Sequence, residues 1–334
     1  MICIEYVYPQ EKSRAEERGI DVPQILFGLL LILIVYWAAR FCYRMVFYNV
    51  NDIQEDAYEI PVGKQYEAVS DAMLDNIRDL QKMPYEQIYI KASDGETLAG
   101  KYYHFKDNAP VQILFHGYRG NGMREYACGN QMARSLGFNT IVIDERAHGK
   151  SSGHTISFGV KERWDCRDWA HYARARFGKE IKIILSGVSM GAATVLMASE
   201  LDLPDSVAAI TADCPYSSPG AIIRKVASDI HLPAWMVYPF VMLGALAFGH
   251  FRLWISSPVR AVRNTKIPIL LIHGEDDRFV PVDMSLEIRS ACCGPAMLAT
   301  FPGAGHGLSY LTDPQRYHAI YKDFFRICRI LPVP

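Results

Sequence analysis

The run Gly187-Val188-Ser189-Met190-Gly191 sets a serine two residues from each of two glycines. A serine hydroxyl is a poor nucleophile at neutral pH, so acyl transfer at such a residue needs a base to take its proton and an acid to hold that base. Residues 181–185 before it are short, apolar and rich in β-branched side chains, which reads as a buried strand. Residues 190–199 after it are rich in Ala, Leu and Met, which reads as a helix. On so tight a strand-to-helix turn the serine is expected in a strained backbone conformation, its hydroxyl raised above the sheet. The glycines have a steric role there, because side chains at those positions would collide as the chain doubles back. The pentapeptide by itself is a weak signal, and the flanking strand and helix give it weight.

Two later stretches supply the partners. His306, in Gly303-Ala304-Gly305-His306-Gly307, is the candidate base, and Asp277 is the candidate acid, with Asp276 beside it as rival. His116, His148 and His273 are rival bases, but each precedes a glycine beside a strand end, where histidine commonly braces a loop. The tetrahedral intermediate needs two N–H donors, expected from the backbone of Met190 and of Tyr118. Arg119 reads as a solvated loop cation.

Positioning these residues requires a sheet whose strands end together. After Pro110 short apolar strands at 111–115, 140–143, 181–185, 207–212, 268–272 and 297–301 alternate with helical stretches near 124–136, 160–176, 189–200, 282–291 and 313–329. That alternation predicts an α/β fold with a mostly parallel sheet covered on both faces, its site beyond the carboxyl ends of the strands. Ahead of it, 88–90 and 97–105 flank Asp94-Gly95 and predict a β-hairpin. Val69, Met73, Ile77 and Leu80 recur at helical spacing, so a helix is expected before Pro84.

Residues 22–39 carry no charge, and about 27 Å of helix would span a bilayer's hydrocarbon. Tyr36 and Trp37 stand at one end, followed by Arg40 and Arg44. No short A-x-A-like site follows, so a retained signal anchor in the cell membrane is expected rather than a cleaved signal. Lys12, Arg14 and Arg18 before the span balance Arg40 and Arg44 too closely to set its orientation. The expected organisation is a polar segment 1–21, a transmembrane anchor 22–44, a connector 45–84 and a catalytic domain 85–330. On that division, a chain starting near residue 50 should be soluble and active.

A net charge of −1 gives no sign of a nucleic-acid partner. The eight cysteines lack C-x-x-C or Cys/His ligand spacing, which argues against structural zinc and a disulfide scaffold; no metal and no cofactor are expected. Between the fourth and fifth parallel strands, residues 215–266 form an apolar excursion read as a helical cap, Pro239 and Gly244 breaking it against a second span. Trp235, Tyr238 and Phe240 of that cap are the expected substrate pocket.

Together the stretches HGYRGN at 116–121, DERAHGKSSG at 144–153, GVSMG at 187–191, ADCPYSS at 212–218, HGEDDRFVP at 273–281 and GAGHG at 303–307 resemble an α/β-hydrolase of the serine-hydrolase type over about residues 85–330. The resemblance is nearest to bacterial membrane-anchored hydrolases related to serine aminopeptidases and to feruloyl or cinnamoyl esterases. It implies Ser189, Asp277 and His306 as triad, with Tyr118 and Met190 as oxyanion donors; the aspartate of H-G-x-x-D-x-x-V-P falls on Asp277. The expected function is a membrane-anchored serine hydrolase cleaving an ester or related acyl bond of a small molecule. The alternatives are an aminopeptidase-like peptidase, with Glu162 and Asp165 imaginable as its amine-binding acids, and a non-catalytic binding or scaffold protein that kept the fold.

Overall fold

Eight strands form one sheet: β1 (Glu86–Lys91), β2 (Thr97–Tyr103), β3 (Val111–Phe115), β4 (Asn139–Asp144), β5 (Ile183–Val188), β6 (Val207–Asp213), β7 (Ile269–Gly274) and β8 (Ala296–Phe301). Their order is β1-β2-β4-β3-β5-β6-β7-β8. From β4 to β8 all neighbours are parallel, while β1–β2 and β2–β4 are antiparallel. The hairpin turns at Asp94-Gly95, with Gly95 at φ +93°. This computed structural model describes residues 22–50 and 63–332. The expected polar segment 1–21 and the connector stretch 51–62 lie outside the described residues.

Twelve helices complete the described residues: α1 (Val22–Val46), α2 (Lys64–Glu67), α3 (Ser70–Gln81), α4 (Gly122–Ser135), α5 (Glu162–Phe177), α6 (Met190–Ala198), α7 (Pro219–Asp229), α8 (Ala234–Ala247), α9 (Pro258–Ala261), α10 (Asp283–Ala291), α11 (Ser309–Thr312) and α12 (Pro314–Ile327). Local chemistry starts several of them. Asn121 caps α4 by accepting from the Met123 N–H, and Ser218 and Asp313 do the same for α7 and α12, each followed by proline at the first helical position.

Because side chains alternate across a strand, the sheet buries two different faces. Ile113, Phe115, Leu185, Ile210 and Leu271 pack with Trp169 of α5 and Val195 of α6 on one side. On the other, Ile184, Ala209, Leu270 and Ile272 meet Met132 of α4 and Phe324 and Phe325 of α12. Helix α3 joins this second side through Ile77 and Leu80, which cluster with Leu114 and Tyr126. The expected connector therefore contributes a helix to the body of the fold.

Two expectations about the excursion change. Helix α8 runs through both Pro239 and Gly244 rather than breaking there. Gly244 is held against the end of α1, where an added Cβ would lie 2.6 Å from the Ala39 carbonyl oxygen, so glycine permits close packing instead of ending the helix. At fourteen residues, about 21 Å, α8 is too short to span a bilayer.

The chain divides into two compact units, residues up to Ala38 and residues from Ala39 onward. In the first, the described part of α1 is apolar and exposed on all sides, within a window of mean hydropathy 2.3. In the second, the end of α1 is part of the core: Ala39 and Phe47 are fully buried, and Phe47 packs edge-on against Phe158 and Phe251.

Candidate active site

Strand β5 ends at Val188 and α6 begins at Met190, which leaves Ser189 alone at the turn, at φ +54° and ψ −112°. A non-glycine residue at positive φ costs energy, and here the packing imposes it. A Cβ on Gly187 would overlap the Gly191 carbonyl, and one on Gly191 would overlap the carbonyl oxygen of Phe115. The elbow thus needs glycine at both positions.

His306 follows β8, and its Nε2 lies 2.9 Å from Ser189 Oγ. Its Nδ1 lies 2.7 Å from Asp277 Oδ2. The other oxygen of Asp277 accepts from the N–H groups of Phe279 (2.9 Å) and Val280 (2.8 Å). Burial pushes this carboxyl up, but the hydrogen bonds from His273 and His306 and the peptide donors outweigh it and hold Asp277 well below the usual carboxylate range. Asp276 is exposed, whereas Asp277 is buried.

The rival histidines brace loops. Nε2 of His116 accepts from the Glu145 N–H at 3.0 Å, and Nε2 of His148 accepts from the Arg119 N–H at 3.1 Å. Burial lowers the first to about 4 and the second to about 3, so both are neutral. His273 lies between Ser285 Oγ and the Val280 carbonyl.

Gly117 sits beside the elbow, where an added Cβ would be 3.4 Å from that of Ser189. The next residue is Tyr118, and neither its N–H nor that of Met190 has a hydrogen-bond acceptor among the described residues. As the first residue of α6, Met190 has a free N–H by construction of the helix. Glu125, which no sequence motif singles out, accepts from the Gly117 N–H at 2.5 Å and fixes this loop from α4. Tyr66 is a second such residue: its hydroxyl donates to the His306 carbonyl at 3.2 Å, and burial pushes its phenol up to about 12. Phe279 meets the His306 ring edge-on at 5.0 Å.

Arg119 is exposed, as expected of a loop cation. Its guanidinium donates to the carbonyls of Met45 and Tyr48, each at 3.1 Å. Glu162 and Asp165 are also elsewhere. Glu162 accepts from the N–H groups of Ser157 and Gly159, and Asp165 pairs with Arg146 at 2.5–2.6 Å, both buried beneath the sheet's other face.

Ser189 opens into a cavity of about 280 Å³. Its walls come from Met73 of α3, Cys128 and Met132 of α4, Leu114 of β3, Leu308 just before α11 and Leu311 within it. The expected pocket residues Trp235, Tyr238 and Phe240 are not among its lining. Trp235 is 78% exposed, and Tyr238 lies 4.7 Å under the Arg224 guanidinium. The reason is packing: Val241 and Ala245 of α8 turn toward Phe47 and Tyr43, so the helix is held on the end of α1 rather than over the strand ends.

Cys214, Asp277 and His306 bring ligand atoms within 4.8 Å of one another. That set is a poor cation site. The Cys214 thiol is buried and pushed well up, hence protonated, and Asp277 and His306 are engaged with each other.

Comparison with known proteins agrees with this architecture. Residues 110–241 match the family model for the alpha/beta hydrolase fold. The uncharacterized protein YqkD of Bacillus subtilis is 24% identical over 251 residues, covering 75% of this chain and 82% of that one. The bem46 protein of Schizosaccharomyces pombe is 25% identical over 252 residues, 72% of this chain and 77% of its own. Among solved structures, the esterase Pf2001 of Pyrococcus furiosus aligns with a TM-score of 0.58 at 24% identity, over 75% of this chain and 93% of the esterase. With its parallel sheet and its elbow beyond β5, the chain has the α/β-hydrolase fold.

Proposed function

We propose that the protein is a membrane-anchored serine hydrolase of carboxylic esters. The observation that carries this reading is the continuous array from Ser189 Oγ through His306 (2.9 Å) to Asp277 (2.7 Å). In the proposed reaction His306 Nε2 takes the Ser189 proton as Oγ attacks the ester carbonyl, and Asp277 holds the Nδ1 proton and stabilises the imidazolium. The N–H groups of Tyr118 and Met190 receive the oxyanion. Collapse expels the alcohol, which takes the proton from His306, and leaves an acyl-Ser189 ester. Water, deprotonated by the same histidine, then releases the acid and restores the serine.

Esters are favoured over peptides by the fate of the two acids that could have read an α-amine. Glu162 and Asp165 are buried in pairings of their own and do not line the cavity. Anchoring is supported by the exposed apolar length of α1, and retention of the anchor by Phe47, which a cleaved signal would separate from its neighbours only at the cost of core packing.

The test is hydrolysis of p-nitrophenyl esters beside aminoacyl-nitroanilides, with Ser189→Ala as control and fluorophosphonate labelling as a second readout. Ester turnover and labelling, both reduced by about 10³-fold or more in Ser189→Ala at unchanged melting temperature, are the expected result. An Ala variant that keeps most of the wild-type rate would sink the assignment.

A further inference from the structure

The cavity behind Ser189 has a polar floor. On the sheet face that α4 and α12 cover, β3 presents Gln112, β5 presents Ser186 and β6 presents Thr211 and Asp213, all buried. Parallel strands covered on both sides usually bury apolar side chains at such positions. Ser186 is on β5, three residues before Ser189 at the turn, so this floor lies roughly 10 Å or less below the nucleophile at the usual strand rise. Apolar side chains in the same lining are Met73, Leu114, Cys128, Met132 and Leu311, beside Arg124, Glu125 and several tyrosines.

The hydrogen bonds of the floor run in one direction and stop short. Tyr321 donates to Thr211 Oγ1 at 3.1 Å, Thr211 donates to Ser186 Oγ at 2.7 Å, and Gln112 Nε2 donates to Ser186 Oγ at 2.6 Å. Ser186 Oγ therefore receives two donors and its own proton is left over. Gln112 Oε1 is buried, lines the cavity and has no partner among the described residues. A buried acceptor without a partner costs roughly 1–3 kcal/mol, so native proteins seldom leave one. One spare donor and one spare acceptor, side by side, complement a hydroxyl group, which both donates and accepts.

We infer that the cavity takes a substrate arm with a hydroxyl at its far end, read by Gln112 and Ser186. The arm's apolar middle lies along Met73, Met132 and Leu311, and its reacting carbonyl sits at Ser189. This deepens the esterase reading and rests on it: the substrate class becomes esters whose acyl or alcohol chain ends in a hydroxyl.

Two series of matched esters test it on the full-length protein in detergent. In one, the acyl chain runs from butanoyl to decanoyl and ends either in methyl or in hydroxyl. In the other, butyrate esters of alkanols are compared with those of α,ω-diols of equal length. The expected result is a kcat/KM advantage of about tenfold for the hydroxyl member at the length that reaches the floor, in one series. Gln112→Met and Ser186→Ala should each erase that advantage, measured within each variant as the ratio of the hydroxyl to the methyl member of a pair. No hydroxyl advantage at any length in either series overturns the inference, as does an advantage that survives both substitutions. If no ester is hydrolysed at all, the esterase reading fails by itself and ligand binding decides the subsite. Thermal stabilisation by alkanediols over alkanols, lost in Gln112→Met, then upholds it, and equal stabilisation overturns it.

Discussion

The phenol of Tyr118 donates a 2.9 Å hydrogen bond to the carbonyl of Val46. One side chain thereby joins the loop beside Ser189 to the last turn of α1, where carbonyls have no partner within the helix. Arg119 continues the joint through the Met45 and Tyr48 carbonyls, and Tyr43 donates or accepts across to Thr155 Oγ1 at 2.7 Å. Tyr118 also stacks on Phe158 at 5.0 Å, and Phe158 in turn meets Phe47. The end of α1 is thus a wall of the loop that offers the Tyr118 N–H.

This joint changes where the chain can be cut. A chain starting near residue 50 would lose Phe47, whose removal opens a core cavity, and would strip the Tyr118 and Arg119 side chains of their acceptors. We predict that it melts at least several degrees lower than a chain starting at residue 39 and hydrolyses esters at least tenfold more slowly. Melting curves and kcat/KM of the two chains decide this; equal values would show that the end of α1 is a mere tether.

Asp277 and Asp276 are adjacent but differ in burial and partners. Asp277→Asn keeps the shape but leaves Nδ1 of His306 facing an uncharged group, and the expected loss is about 10³-fold or more in kcat. Asp276→Asn changes an exposed side chain and should cost less than about threefold. Steady-state kinetics of both variants would reassign the acid if the losses came out reversed.

Glu125 acts through Gly117. Its carboxylate holds the Gly117 N–H at 2.5 Å and so sets the peptide plane that leads to Tyr118. The prediction is that Glu125→Ala lowers kcat by about tenfold or more with little change in KM, because a misplaced oxyanion donor is felt mainly in the transition state. Glu125→Gln retains an acceptor oxygen and should recover most of the rate. A KM effect alone, with kcat intact, would instead make Glu125 a ground-state binding residue.

The elbow was legible because its causes are local. Gly187 and Gly191 are demanded by backbone atoms within a few residues or on the neighbouring strand, so the pentapeptide carries them in order. The sheet was legible for a similar reason: apolar runs of strand length recur between helical stretches, and the strand expected at 181–185 runs instead from Ile183 to Val188, because Ser186, Gly187 and Val188 look like loop. The cavity was not legible. Met73, Cys128, Met132 and Leu311 come from three separate helices, and only their packing brings them together. Helix α8 is apolar on nearly every side, so its pattern could not tell which face turns inward, and Trp235 turns out. Gln112 and Thr211 did leave a trace, as polar residues set into strands that otherwise read as buried, whereas Ser186 lies just past the apolar run 181–185. That they share one face becomes visible only with the strand register.

The last prediction concerns Asp213, which lines the cavity and is buried, accepting from Tyr317 at 3.1 Å and Ser309 at 3.4 Å. Burial pushes its carboxyl up to about 6, against an unfolded value of about 3.9. The folded protein therefore binds this proton more tightly than the unfolded chain. Stability from this group is fullest below about pH 4, falls as pH rises toward 6 by up to roughly 1.4 kcal/mol per unit, and is level above that. Asp213→Asn keeps an oxygen to accept from Tyr317 but has no proton to lose. Relative to wild type, the variant should gain stability as pH rises from about 4 to 6, and the difference should be constant above about 7. Denaturant unfolding of both proteins across that range measures it, and other titrating groups cancel in the comparison. A stability difference that does not vary with pH would mean that Asp213 ionises as freely in the folded protein as in the unfolded chain.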